Sequence, residues 1–168
     1  MTDARDRLVQ WLKDAHAMER QAETMLDSQA SRLEHYPELR QRLRQHLDET
    51  RSQAGRLEEC LVSLGADSSG AKDAMGRLTA MAQGIGGMFA GDEVVKGAMA
   101  GYTFEHFEIS AYMALVATAE VCGEARIASV CRDILREEEA MAEWLHAHLP
   151  EVTRTYLQRE QADLQAGR

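Results

Sequence analysis

The sequence predicts an all-α protein built as a four-helix bundle with one long crossover, and three observations support this prediction. Only 5% of the 168 residues are aromatic and two are proline, while helix formers such as alanine, leucine and glutamate are abundant. Glycine and proline breaks divide the chain into four long segments in which apolar residues recur every three or four positions. The second and third segments are joined by a much longer connection than the others, as in bundles made of two hairpins.

The breaks set the bounds of each predicted helix. Helices are predicted at 4–34, 37–64, 93–122 and 124–148, with breaks at Tyr36-Pro37, 65–70, 84–91, Gly123 and Pro150. Short turns make each consecutive pair an antiparallel hairpin, and the crossover between the pairs carries a short helix around 71–83. We therefore expect residues 1–150 to form the bundle. Residues 151–168 would then form a C-terminal helical arm or tail, with a fifth, exposed helix at 151–165.

The charge balance restricts the possible partners. Acidic residues outnumber basic ones by 28 to 19, which gives a formal net charge of -9. This excess argues against binding to nucleic acid or to an anionic membrane, and it favours a cation as the bound group. No secretory signal or membrane-spanning segment is recognisable, and the three cysteines lie in apolar helical patterns. We therefore expect a cytoplasmic protein with reduced core thiols.

Polar residues interrupt the apolar stripes near the middle of the helices, where core residues are expected. Glu19 does so in the first helix and Glu138 in the fourth. Glu105 and Glu108 do so in the third helix, three positions apart on one face. The second helix is polar on its inward side, which carries His46, Thr50 and Gln53 with Glu49 beside them.

The spacing of these acids from the turns predicts that they meet. Glu108 and Glu138 are equally far from Gly123, and Glu19 and Glu49 are placed similarly about the turn near Tyr36. Five carboxylates would thus converge on one level of the core. No lysine or arginine occupies a stripe position, and an uncompensated buried ion costs several kcal/mol, so the acids need neutralisation. Two metal ions would provide it, and shared protons are the alternative. Oxygen-rich ligation favours hard ions such as iron or manganese.

Other side chains could complete or border such a site. His46 lies one turn before Glu49 and could supply a nitrogen ligand, orient a ligand or act as a core histidine. Tyr112 could pack in the core or hydrogen-bond to a carboxylate. The literal Glu-x-x-His of Glu143 and His146 lies off the apolar stripe, so we do not assign it to the site.

Several stretches resemble the YciE/YciF-type stress-response branch of the ferritin-like superfamily. They are 12–21 (LKDAHAMERQ), 46–53 (HLDETRSQ), 105–112 (EHFEISAY) and 137–140 (EEEA). The resemblance covers about residues 5–148 and implies a ferritin-like bundle with a di-metal site linked to bacterial stress. By position, the metal-binding role would pass to Glu19, Glu49, Glu105, Glu108 and Glu138. The Glu-x-x-Glu of the third helix also resembles the corresponding helix of rubrerythrins.

The sequence departs from the di-iron pattern at two places. Ser52 stands three residues after Glu49, with Gln53 next, and Met141 stands three residues after Glu138, where Glu-x-x-His motifs carry histidine. His46 and Gln53 are therefore the remaining candidates for the missing ligands.

Two function classes follow from these observations. The first is a protein with two iron or manganese ions that reacts with peroxide or dioxygen, or oxidises ferrous iron. Glu105 and Glu138 would then bridge the ions, with Glu19, Glu49 and Glu108 as terminal ligands. The second is a non-catalytic bundle that acts through self-association or a stress-related partner. Iron storage in a closed shell has no support from cage contacts in the sequence, and we expect a homodimer.

Overall fold

The structure is a computed structural model that describes residues 3–69 and 93–168. In these residues the chain forms four helices and no strand. They are α1 (Ala4–Arg32), α2 (Pro37–Ser63), α3 (Glu93–Val121) and α4 (Ala125–Gln161). The predicted all-α four-helix fold is confirmed, and the first three helices lie within about two residues of their predicted bounds. The short helix expected at 71–83 and the glycine-rich segment 84–91 lie outside the described residues.

The helices pack as two hairpins, α1 with α2 and α3 with α4, while α1 also contacts α3 and α2 contacts α4. Two apolar clusters of described residues fill the bundle. One includes Leu12, Leu57 and Ile134, and the other includes Leu26, Leu43 and Leu145. Between them lies a set of buried polar residues that we call the polar layer. It comprises Glu19, His46, Thr50, Gln53, Glu105, Glu108 and Glu138.

The turn at Gly123 sets the register of the second hairpin. Gly123 has a φ of +73°, a left-handed conformation that glycine adopts without steric cost. Its N–H donates to Glu120 O at 3.0 Å and the Glu124 N–H donates to Ala119 O at 2.9 Å, which is the Schellman pattern that ends a helix. This sharp reversal brings the middle of α4 to the level of the middle of α3.

The fourth helix differs from its prediction. It was expected to end at 148, with a separate fifth helix at 151–165, but α4 runs through Pro150 to Gln161. A proline inside a helix removes one backbone hydrogen bond. Burial of Val152 in the second apolar cluster, with Tyr156 packed against it, offsets that loss. The division of the chain into 1–150 and 151–168 stays a prediction.

The end of the chain returns to the turn between α1 and α2. The Tyr36 hydroxyl donates to Ala166 O, and the His35 N–H donates to Arg168 O at 3.1 Å. These contacts hold the residues after α4 against the bundle.

The cysteines of the chain form no disulfide. All three cysteines are free, and Cys60 and Cys131 are buried in the first apolar cluster. Burial raises the pKa of the Cys131 thiol to about 12, so this thiol stays protonated and unreactive.

None of the helices in the described ranges combines the length and hydrophobicity that crossing a membrane requires.

Candidate metal centre

Four side chains of the polar layer come together at its centre. One potential ligand atom from each of His46, Glu105, Glu108 and Glu138 lies within 4.8 Å of the corresponding atoms of the others. They come from α2, α3 and α4, and none is more than 3% exposed. This histidine and carboxylate cluster could hold a metal ion.

His46 lies at the middle of a network of carboxylates. Its Nε2 is 3.3 Å from Glu105 Oε2 and 3.2 Å from Glu138 Oε2. Its Nδ1 is 2.8 Å from Glu49 Oε2, one turn along α2. The imidazole is therefore buried among the acids, which is compatible with each of the three roles that the sequence left open for it.

Burial governs the protonation of the layer. It raises the pKa of Glu105 to about 7, although nearby His46 opposes this shift. Burial, reinforced by neighbouring carboxylates, raises the pKa of Glu19 and of Glu108 well above their ordinary values. For His46, burial lowers the pKa, but the carboxylates of Glu105, Glu138 and Glu49 outweigh it and raise the pKa well above 6.5. Without a metal, the layer therefore retains protons near neutral pH.

Glu19 lies in the polar layer but outside the group of four. Its side chain is buried on α1, and its Oε1 accepts a hydrogen bond from the Tyr112 hydroxyl of α3. Burial, together with the charge of Glu19, raises the pKa of Tyr112 well above 10, so the hydroxyl remains a donor. Of the two roles that the sequence allowed for Tyr112, the structure shows both packing and a hydrogen bond.

Glu49 lies at the edge of the layer. Its side chain is 25% exposed, and its oxygens accept from Gln45 at 2.9 Å and from Arg42 at 3.3 Å in addition to facing His46. Burial acts to raise the pKa of Glu49, but the hydrogen bond to His46 and the charge of Arg42 outweigh it and lower the pKa to about 2. The structure therefore brings four of the five predicted carboxylates into the buried layer and places the fifth beside His46.

Gln53 links the layer to a neighbouring acid. Its amide nitrogen donates to Glu138 Oε1 and also to Glu137 Oε2, the latter at 2.9 Å. Arg56 donates to the same Glu137 oxygen at 2.5 Å. Sequence reasoning missed this pairing, although Arg56 follows Gln53 by three positions and so lies on the same face of α2.

Several buried atoms of the layer have no hydrogen-bond partner. Among the described residues, they include Glu19 Oε2, Glu108 Oε1 and Gln53 Oε1. They also include Glu105 Oε2, Glu138 Oε2 and His46 Nε2, which face one another only as ion-pair contacts of 3.2 and 3.3 Å. Buried polar atoms are rarely left without partners, and the unpartnered oxygens of Glu19, Glu108 and Gln53, beside the carboxylates of Glu105 and Glu138, are suited to a cation. The residues present therefore fit a metal centre.

The comparisons with known proteins identify the chain's relatives. Residues 3–158 match a family described as a domain of unknown function, DUF892. Among solved structures, a protein of Xanthomonas campestris pv. campestris is 42% identical with a TM-score of 0.81, over 95% of this chain and 99% of that one. YcfI from Rhodopseudomonas palustris is 29% identical with a TM-score of 0.73, over 86% of this chain and 93% of its own. The E. coli stress protein YciF is 26% identical with a TM-score of 0.71, over 89% and 96%. The chain therefore belongs to the DUF892 family and is a relative of YciF, as its sequence stretches predicted.

Proposed function

We propose that the polar layer binds two metal ions, iron or manganese, and supports reaction with peroxide or dioxygen, or ferroxidase-type oxidation, in a bacterial stress response. The observation that carries this proposal is the buried cluster in which Glu105 and Glu138 share one imidazole nitrogen, while one oxygen each of Glu19 and Glu108 has no hydrogen-bond partner among the described residues. Burying such groups without compensation is costly, and divalent ions would neutralise their charge and occupy their lone pairs together. The description of the relative YciF as a stress protein supports the physiological part of the proposal.

The geometry suggests a role for each residue. Glu105 and Glu138 flank the same imidazole nitrogen and are the bridging candidates. Glu108 and Glu19 would be terminal ligands, and His46 would supply a nitrogen ligand. Glu49 holds the other imidazole nitrogen and so orients the ring, as carboxylates commonly do for histidine ligands. Gln53 fixes one oxygen of Glu138. When bound, a pair of redox-active ions would supply electron exchange with an oxidant.

A competing function rests on a separate observation. Because His46 lies between Glu105 and Glu138, a protonated imidazole could compensate both acids without a metal. The protein would then be a non-catalytic bundle that associates with itself or with a stress-related partner. Exposed apolar residues on α3, such as Met113 at 59% and Val121 at 79% exposure, would suit association.

Metal content and stability distinguish the two functions. We expect elemental analysis of protein purified without added chelator to find two iron or manganese ions per chain. Chelation should then lower the melting temperature, because a ligand that binds only the folded state stabilises it. Glu138→Gln keeps the shape of the side chain but removes its charge, and it should lower the metal content. Glu139→Gln, at the exposed neighbouring position, is the matched control and should leave the content unchanged.

The chemistry is tested separately on protein that holds metal. Loaded protein should oxidise ferrous iron in air, or consume peroxide, faster than Glu138→Gln measured at the same protein concentration. If the purified protein contains no metal and its melting temperature does not change on addition of a chelator, the proton-sharing bundle is favoured instead. Full metal occupancy without either activity would leave a metal-binding structural protein.

A further inference from the structure

The centre of the polar layer is closed to solvent, so a metal ion must reach it through a passage between helices. Glu105 is 3% exposed, Glu108 is 1% exposed and Glu138 has no exposed surface. Within 3–69 and 93–168, two partly exposed carboxylates, Glu49 and Glu137, contact members of the layer from outside. The geometry at these two acids indicates how an ion could pass inward.

A chain of polar contacts leads from the surface to the cluster where α2 meets α4. Glu137 is 33% exposed at its side chain and pairs with Arg56, which is 27% exposed. Gln53, which has no exposed surface, donates through one amide nitrogen to both Glu137 and Glu138. We call Arg56, Glu137 and Gln53 the polar step, because it leads from two partly exposed side chains to a fully buried one.

The Gln53 amide can bind a cation through its oxygen as well as donate hydrogen bonds through its nitrogen. Its Oε1 is buried and has no hydrogen-bond partner in the part of the chain that the structure describes. An amide carries two donors on nitrogen and an acceptor on oxygen, and a half-turn of the group exchanges them. With the oxygen turned toward Glu137 and Glu138, the three side chains would offer only oxygen ligands to an ion between them. Oxygen ligands are those that hard divalent cations prefer.

We propose that the polar step is the access route by which metal ions enter the buried cluster, with Glu137 as the transfer ligand that passes an ion to Glu138. This inference rests on the proposed metal-binding function and adds the path by which the site is filled. Arg56 opposes the approach of a cation through its charge and occupies an oxygen of Glu137. Glu137 attracts the cation, so the two partners of this ion pair have opposite effects on uptake.

The other partly exposed acid is a poorer route. Glu49 is held by Arg42 and Gln45, and the imidazole of His46 stands between it and Glu138. An ion that entered there would have to displace the ring that orients the cluster. At the polar step, the displaced group is a neutral amide that can itself become a ligand.

The test is the rate of uptake by full-length protein that has been depleted of metal. Rapid mixing with Mn²⁺, followed by loss of the free-ion electron paramagnetic resonance signal, gives the rate and the final occupancy. A parallel series uses Fe²⁺ under anaerobic conditions. We expect Glu137→Gln to slow uptake and Arg56→Gln to accelerate it, each about tenfold, within the range of electrostatic effects on association rates. Glu120→Gln, at the exposed ion pair with Arg132, is the matched control and should leave the rate unchanged.

The outcomes separate this inference from the proposed function. If the wild type takes up neither ion at equilibrium, both are refuted. If every variant fills fully at the wild-type rate, the access route is refuted while the metal site stands. Should Glu137→Gln and Arg56→Gln slow uptake equally and also lower the melting temperature, the pair has only a structural role and the inference is again overturned.

Discussion

His46 on α2 and Glu138 on α4 approach each other in the core of the bundle, with 3.2 Å between Nε2 and Oε2. Neither side chain is more than 1% exposed. The contact joins the two hairpins at their middle, between the two apolar clusters. The imidazole can thus compensate acids in the metal-free protein and ligate an ion in the loaded protein, and each state gives a different test.

Replacing the imidazole should destabilise the metal-free protein. His46→Ala removes the group that faces Glu105, Glu138 and Glu49, and it leaves buried acids without that partner. Loss of one partner from a buried charged pair costs about 3–5 kcal/mol. Urea unfolding of chelator-treated protein measures this cost. His106→Ala, at an exposed position on α3, should change stability by no more than about 0.5 kcal/mol. A His46→Ala variant as stable as this control would contradict a stabilising role for the imidazole.

The metal-free protein should lose stability as the pH rises from about 4.5 to 7. The pKa of Glu105 is raised from an ordinary value of 4.5 to about 7, so the folded state holds a proton that the unfolded state has released. The stability that this retained proton contributes is present at low pH and is lost as the pH approaches 7. The raised pKa of His46 acts in the same direction at higher pH. Urea unfolding in chelator at a series of pH values measures the slope.

Glu105→Gln supplies the comparison for this pH dependence. An amide cannot ionise, so the variant should show a flatter dependence over the same pH window. The lowered pKa of Glu49 contributes stability that is lost only as the pH falls from 4.5 toward about 2, below the window. Metal-loaded protein should behave in the opposite way, because ligands must release their protons to bind the ion. If the free energy of unfolding falls with pH equally steeply in the wild type and in Glu105→Gln, Glu105 does not hold the proton.

The sequence was sufficient to predict the first three helices, the start of the fourth and the buried positions of Glu19, Glu105, Glu108 and Glu138. Glycine and proline breaks gave the bounds, and Gly123 gave the turn that brings Glu108 and Glu138 to one level. Equal distances from a turn fix the height of a residue along a helix, but they do not fix its rotation about the axis. Glu49 illustrates this difference, because it stands at the expected height yet turns toward Arg42, while His46 faces the acids.

Contacts between helices were harder to predict than positions along them. The hydrogen bond from Tyr112 to Glu19 joins residues 93 positions apart. A bond from Tyr112 to some carboxylate was one of the two expected roles, but nothing local in the sequence identifies Glu19 as the partner. The same is true of the bond from Gln53 to Glu137, 84 positions apart. The continuation of α4 past Pro150 depends on burial of Val152 in an apolar cluster that α1 and α2 also supply. Local rules for proline contain no information about that cluster.

Tyr112→Phe should lower the stability of the protein without leaving a cavity beside the polar layer. The change removes only the hydroxyl, so the ring still fills its fully buried position, but Glu19 loses its donor. Leaving a buried acceptor unsatisfied costs about 1–3 kcal/mol. Urea unfolding measures the loss, with Tyr102→Phe as the control, because the Tyr102 hydroxyl lies at an exposed contact with His146. If both variants are equally stable, the Tyr112 hydroxyl does not support Glu19.

The two prolines of the chain provide a test of the long fourth helix. Pro150 lies inside α4 and cannot donate a backbone hydrogen bond, so Pro150→Ala should restore one and stabilise the protein by up to about 3 kcal/mol. Pro37 begins α2, where proline suits the first helical position, and Pro37→Ala should be neutral or slightly destabilising. Thermal unfolding of the two variants gives the comparison. If the helix instead ended near 148 and a separate arm followed, position 150 would lie in a connection. Pro150→Ala would then increase the conformational entropy of the unfolded chain and so lower the melting temperature. The sign of the Pro150→Ala effect therefore decides whether 125–161 behaves as one helix in solution.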